Sequence, residues 1–98
     1  MSGVLEALRD TVLVCDGATG SMLYQTLGHL RCTDEVNLTH PESVLKIHLE
    51  YIAAGAQIIE TNTFGANRVK LKAYGLADKT VEINQRAVKL AREAREIA

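Results

Sequence analysis

Hydrophobic and polar positions along the chain sort into alternating helical and extended segments. Val4, Leu5 and Leu8 share a face at helical spacing, which predicts a short leading helix over Val4–Arg9. Thr11-Val12-Leu13-Val14-Cys15 follows as an almost unbroken apolar, β-branched run that stops at Asp16-Gly17. A run apolar on every side predicts a strand buried on both faces, as in a parallel sheet. Gly17 and Gly20 mark the turn after it, and Ser21–Leu27 reads as one or two helical turns ending near Gly28. Residues 29–38 are mixed and polar, which predicts a surface connection.

The next helix has a clear start. Thr39 is its expected cap, Glu42 stands where a capping-box partner belongs, and Pro41 falls in the first turn. Leu45, His48, Leu49, Ile52 and Ala56 follow at spacings of three and four, so one stripe is expected to be buried, with Gly55 just past the helix end. Gln57–Thr63 reads as a second strand, apolar at first and polar towards its end. Gly65–Asn67 form a turn, and Asn67 caps a short helix running to Tyr74 and stopped by Gly75. From Asp78 or Lys79 to Ala98 the pattern is strongly helical. Ile83, Ala87, Leu90, Ala94 and Ile97 make its apolar stripe, and Arg86, Lys89, Arg92, Glu93 and Glu96 fall mostly elsewhere. Strands alternating with helices place the chain in the α/β class, with parallel pairing through right-handed crossovers.

Composition narrows the functional classes. The chain has 98 residues, 47% hydrophobic and 23% charged, with a single proline, which is globular and allows one domain at most. Eleven basic and twelve acidic residues give a formal charge of −1, so nothing electrostatic points to nucleic acid or to an anionic membrane. Apolar runs are only a few residues long, so no helix is expected to span a bilayer, and no signal peptide is recognisable near Met1. A cytoplasmic setting is the expectation, in which Cys15 and Cys32 stay unpaired.

In parallel α/β folds ligands bind at the carboxyl ends of the strands, and both strands here end in polar, glycine-flanked sequence. At the first tip, Asp16-Gly17-Ala18-Thr19-Gly20-Ser21, the carboxylate of Asp16 suits an ammonium, and the amides of Gly17, Ala18 and Thr19 at a helix start suit a carboxylate. Together they would hold both ends of a zwitterion. The plainer alternative is that Asp16 bonds turn amides and the glycines only permit tight geometry. The glycines follow G-x-x-G, and no Walker lysine is present, so a nucleotide loop has little support. At the second tip, Thr61, Asn62 and Thr63 carry two hydroxyls and an amide that could orient a small polar ligand, or could satisfy the strand end themselves. Glu60 is a carboxylate without an identified partner.

The remaining candidates are weaker. Cys15 and Cys32 form neither a C-x-x-C motif nor an adjacent pair, and the three histidines do not cluster near them, whereas zinc needs three or four N/S ligands. Cys15 reads as a buried packing residue, His48 as a satisfied helix residue, and His29 and His40 as loop histidines. The charges of the last helix suit a solvated face, although Ile83 to Ile97 could equally meet a neighbouring helix.

Several blocks together carry a family likeness. The Asp16–Ser21 block, Asn37-Leu38-Thr39-His40-Pro41-Glu42, Gly55-Ala56, Ile59-Glu60-Thr61-Asn62-Thr63-Phe64-Gly65-Ala66-Asn67, Tyr74-Gly75-Leu76 and Ile83-Asn84 occur in order over essentially the whole chain. In these the chain resembles the N-terminal part of the homocysteine S-methyltransferase family, which includes the homocysteine-binding module of cobalamin-dependent methionine synthase. Arg31-Cys32 ahead of Asn37 resembles the bifunctional members that join this domain to a methylenetetrahydrofolate reductase.

The resemblance implies a TIM (β/α)8 barrel that binds homocysteine at its top and methylates the sulfur to give methionine. Zinc would bind the thiol as thiolate and lower its pKa, giving the nucleophile that takes a methyl group from a methylated folate, cobalamin or an S-methyl compound. Asp16 would bind the substrate ammonium, the amides of Gly17, Ala18 and Thr19 its carboxylate, and Thr61, Asn62 and Thr63 would line the barrel mouth. Thr19 stands where the family often has Met and Ser21 where it often has Thr. Gly65 replaces the zinc-binding tyrosine of betaine-using members, which turns the expectation away from betaine. The family's zinc cysteines, one single and one adjacent pair, come from later strands, and neither Cys15 nor Cys32 matches them.

A TIM barrel needs about 250 residues and eight strand–helix units. Residues 1–98 offer two, so the expectation is the N-terminal fragment of a homocysteine-binding barrel. Such a fragment supplies one wall of the site and is inactive alone. It partners with the remainder of the barrel or self-associates to cover its open edges. The competing expectation is a small α/β module that binds or associates without turnover. A phosphate-binding enzyme is a third and weaker one.

Overall fold

A computed structural model describes residues 3–98. Six α-helices carry the fold: α1 (Val4–Asp10), α2 (Thr19–Leu27), α3 (Val36–Thr39), α4 (Pro41–Ala53), α5 (Arg68–Lys72) and α6 (Thr80–Ile97), with a 3₁₀ turn at Ala77–Lys79 before the last. None of them is long and apolar enough to cross a membrane.

The two expected strands are where sequence and structure differ most. Neither Thr11–Cys15 nor Gln57–Thr63 forms a strand; between them lies one isolated parallel bridge, Cys15 with Ile58. Its bonds are those of a parallel ladder: Ile58 N–H donates to the Val14 carbonyl at 3.1 Å, and Asp16 N–H donates to the Ile58 carbonyl at 2.9 Å. Side chains then end the ladder in both directions. Val14 N–H donates to Gln57 Oε1 at 3.0 Å, and Glu60 N–H donates to Asp16 Oδ2 at 3.0 Å, each where the next backbone carbonyl would stand. The expected burial on both faces also fails: Val12 is 88% exposed and Val14 is exposed, as is Cys15. With no third strand beside them among the described residues, the two segments leave Val12, Val14 and Cys15 exposed, while Leu13 and Ile58 are half-buried.

Around this bridge the helices pack well. α4 lies against α2 on one side and α6 on the other, and α3 wedges between α4 and α6. Leu23, Val36, Val44, Ile47 and Leu90 form one buried cluster where these helices meet. A second cluster of Cys32, Ala66, Leu71, Leu76 and Ile83 lies under α5 and the start of α6. The stripe Ile83, Ala87, Leu90 and Ala94 is buried as its spacing predicts, while Ile97 is exposed. On α4 the buried face is Val44, Ile47 and His48, and the expected Leu45, Leu49, Ile52 and Ala56 are only half-buried.

Local signals fared unevenly. Gly28, Gly55 and Gly75 end helices with φ of +80°, +113° and +72°, the left-handed region that favours glycine. Asn67 caps α5, accepting the Lys70 N–H at 2.9 Å. Thr39 does not cap α4; His40 holds that position with no side-chain cap, and Thr39 Oγ1 lies 3.0 Å from His40 Nδ1 instead. Residues 29–38 are no mere surface connection either, because Cys32, Asp34, Val36 and Asn37 are buried and Val36 opens α3.

The packing leaves much surface open. The accessible surface is 6532 Å², against roughly 5,500 Å² for a compact monomer of this length, and the radius of gyration is 14.4 Å, against about 13 Å. α1 buries no residue. Beside it, Val4, Ile52, Ala56, Ile58, Val88 and Ala91 line an open groove of about 480 Å³.

Candidate functional site

Asp16 sits at the end of the bridged segment, and its carboxylate ties the two tips together. Oδ2 accepts the Glu60 amide across 44 positions of sequence, so Asp16 bonds the opposite tip rather than its own turn. Oδ1 is buried with no partner. Beyond Asp16, Gly17 passes so close to α4 that an added Cβ would stand 2.9 Å from the Tyr51 hydroxyl. Tyr51 in turn donates to the Ala18 carbonyl at 3.4 Å. A residue without a side chain lets α4 support the loop from beneath. α2 then begins at Thr19 with no side-chain cap, leaving its first amides for another acceptor.

The second tip is braced from residues 33–37. Asn62 is buried, and its Nδ2 donates to the Thr33 carbonyl at 2.8 Å and to Asn37 Oδ1 at 3.1 Å. Asn37 Nδ2 answers by donating to the Asn62 carbonyl at 2.9 Å. Asp34, also buried, accepts the Gly65 N–H at 3.0 Å on Oδ2, while the Cys32 thiol lies 3.8 Å from its Oδ1. A Cβ on Gly65 would stand 2.9 Å from that same Oδ1. Thr61 and Thr63 lie on alternate positions, and their hydroxyls meet at 2.8 Å.

One open cleft of about 480 Å³ lies between the tips, and Gly17, Ala18, Thr19, Thr61, Asn62 and Thr63 all line it. Asp16 stands behind this wall rather than on it. The structure therefore gathers six of the seven residues singled out by sequence around one space, with the seventh clasping its two sides. Tyr24, Thr33 and Phe64 also line it and escaped the sequence reading. Phe64 is 93% exposed, with Lys70 Nζ 4.7 Å from its ring centre. A large aromatic inside a polar tip is the signal that could have flagged it.

Charge at the site is sparse. Burial pushes the Cys32 thiol above its ordinary range. Glu35 is held low by hydrogen bonds from Arg31, Nε to Oε1 at 3.0 Å and Nη2 to Oε2 at 2.6 Å, and Arg31 is raised in turn. His48 is not the satisfied helix residue expected: it is buried with neither ring nitrogen bonded. Among the described residues no group of three or more His, Cys, Asp or Glu could hold a metal ion. Cys15 and Cys32 are both free.

A cleft between two tips at the carboxyl ends of extended segments is the place where α/β proteins bind their ligands. Comparison with known proteins gives the family. Residues 13–98 match the model of the homocysteine S-methyltransferase family, and the chain belongs to that family. It is 41% identical to the methionine synthase of Mycobacterium leprae and 38% identical to that of Mycobacterium tuberculosis, with 91% of the chain covered in each. The chain spans only 8% of those relatives' length. Among solved structures it resembles the homocysteine methyltransferase MmuM from Escherichia coli. The metallated form matches with a TM-score of 0.82 and 32% identity over 95% of this chain and 34% of that one. The oxidized form matches with a TM-score of 0.83 and 31% identity over 98% and 35%.

Proposed function

We propose that residues 1–98 are the N-terminal fragment of a TIM-barrel homocysteine S-methyltransferase, and that the cleft between the two tips holds the amino-acid end of homocysteine. The observation that carries this reading is the Asp16–Glu60 clasp with six predicted residues around one space. On this reading the carboxylate of Asp16 attracts the substrate ammonium, since an oxygen that already accepts one amide retains a further lone pair. The uncapped amides at the start of α2 receive the substrate carboxylate. Thr61 and Thr63 supply hydroxyls beside it. Asn62 acts by holding the second tip in place, its amide being used by Thr33 and Asn37.

Zinc is the activating metal that the family resemblance implies, and this chain's residues do not fit it. Cys15 is exposed beside the bridge, Cys32 is buried beside Asp34, and they belong to different parts of the fold. The metal's ligands then belong to other segments of the barrel, and the chain alone does not transfer methyl groups. The donor is a methylated folate, cobalamin or an S-methyl compound. The crowding of Gly65 against Asp34 supports setting betaine aside, because the tyrosine of betaine-using members has no room there. The free thiols suit a cytoplasmic setting.

The test is homocysteine kinetics in the intact protein that carries this segment. Losing one charge-assisted contact corresponds to a rise in KM of roughly 10- to 100-fold for Asp16→Asn. An unchanged KM would remove Asp16 from the site. A second reading, a binding module without turnover, draws on the open apolar groove beside α1. Methionine formation by the intact protein would exclude it.

A further inference from the structure

Helix α4 carries a histidine that the cleft itself does not use. His48 is fully buried, and neither Nδ1 nor Nε2 has a hydrogen-bond partner. Among the described residues, the remaining buried side-chain polar atom without a partner is Asp16 Oδ1. Orphaned buried polar atoms are costly and rare, so their falling on just two residues calls for a physical cause.

The packing of α4 supplies one. Tyr51, three residues beyond His48 and so on the same side of the helix, reaches the Ala18 carbonyl and crowds Gly17. α4 thus presents Tyr51 to the Gly17–Ala18 loop, with His48 one turn back on the same side of the helix. Asp16 is also the charge that His48 feels, and its attraction opposes the burial that pushes the imidazole below its ordinary range. A ring N–H turned towards Oδ1, directly or through one enclosed water, relieves an orphan on each residue.

We propose that His48 is a positioning residue for Asp16, its ring N–H holding Oδ1 inward while Oδ2 stays on the Glu60 amide. The carboxylate is then fixed at both oxygens and cannot swing away when a ligand's ammonium approaches. This role rests on the reading of Asp16 as the ammonium site. A histidine present only for bulk would be replaceable by leucine without consequence for the ligand.

The experiment uses the intact protein with two substitutions at this position and one at Asp16. His48→Leu keeps bulk without a donor and is expected to raise the homocysteine KM about 10-fold with kcat within about 2-fold. His48→Gln retains an N–H donor and is expected to restore KM to within about 3-fold of the parent. Histidine labelled with 13C at Cε1 reports the second arm: Asp16→Asn removes the attracting charge, so the His48 titration moves to lower pH. An unchanged KM in His48→Leu, with Asp16→Asn still raising it, overturns the positioning role and leaves the ammonium site standing. An unchanged KM in Asp16→Asn overturns the ammonium site and the role built on it. Should His48→Leu not fold, a His48 titration that ignores Asp16→Asn overturns the pairing by itself.

Discussion

Asn37 and Asn62 are tied together in the interior: Asn62 Nδ2 donates to Asn37 Oδ1 at 3.1 Å, and Asn37 Nδ2 donates to the main-chain carbonyl of Asn62 at 2.9 Å. Asn37 also reaches the Ile83 carbonyl at 3.4 Å. One side chain of α3 therefore joins the second tip to the last helix, and the tip depends on it for its place.

Truncating that pair leaves buried polar groups without partners. Asn37→Ala is expected to destabilise the fold by about 2–3 kcal/mol, read by urea denaturation. Asn62→Ala should cost a similar amount. The two together should cost clearly less than the two separate losses, because they act through one shared contact. Additive losses would show that the amides do not work as a unit.

Gly17 and Gly65 are places where a methyl group has no room. Gly17→Ala meets the Tyr51 hydroxyl and ring, at 2.9 and 3.3 Å, so overpacking of about 1–2 kcal/mol is expected. Tyr51→Leu in the same chain should remove much of that penalty, since the obstacle is a side-chain end. Gly65→Ala meets a buried carboxylate oxygen that is itself engaged, so no comparable rescue is expected from trimming Lys70, the other nearby side chain. Thermal melts of the four variants check the contrast.

Stability should fall on mild acidification because of His48. Burial depresses its folded-state pKa below the unfolded value of about 6.5, so the unfolded chain binds the extra proton first. Its neutral form is fully accommodated above that pH, and stability is lost as the pH falls through and below it. Denaturant midpoints at pH 7.5 and 5.5 should differ more for the parent than for His48→Gln. Equal differences would mean that other groups set the acid response.

The two thiols should react at different rates. Cys15 is exposed, whereas Cys32 is buried and its thiol is pushed up by that burial, so less of it is thiolate at neutral pH. Iodoacetamide on the 98-residue chain should label Cys15 first, with Cys32 following only as denaturant is added. Mass spectrometry of the tryptic peptides reads the order.

Residues 1–98 by themselves should associate. The groove lined by Val4, Ile52, Ala56, Ile58, Val88 and Ala91 and the unpaired edges of the bridged segments offer apolar surface and open backbone bonds. Sedimentation is expected to show dimers or larger species, and a homocysteine methylation assay of the same sample should show no turnover. A cooperatively folding monomer would contradict the first expectation, and methionine formation the second.

The stripe of α6 was legible from spacing alone, whereas on α4 the buried face is shifted to Val44, Ile47 and His48. Ile83, Ala87, Leu90 and Ala94 repeat at helical intervals and are buried because one side of a helix meets its neighbours. Gly28, Gly55 and Gly75 were legible because a left-handed residue at a helix end favours glycine whatever surrounds it. The tip residues could be read as a set because polar positions after apolar runs gather where such runs end side by side. Asp34 and Asn37 were missed for the opposite reason. Polar residues in a mixed segment look solvated until a distant partner, Gly65 for one and Asn62 for the other, is brought within bonding distance.

The sequence by itself determined the longer helices, the glycine-marked helix ends and the family, because each depends on local spacing or on blocks of residues in fixed order. Only the tertiary structure decided that the extended segments meet in a single bridge. Side chains of Gln57 and Asp16 take its next hydrogen bonds, and no third strand extends the pairing among the described residues. It also decided that Asp16 clasps the opposite tip and that His48 is buried without a partner. Those outcomes depend on which groups far apart in the chain come within about 3 Å of one another, a distance that periodicity does not encode.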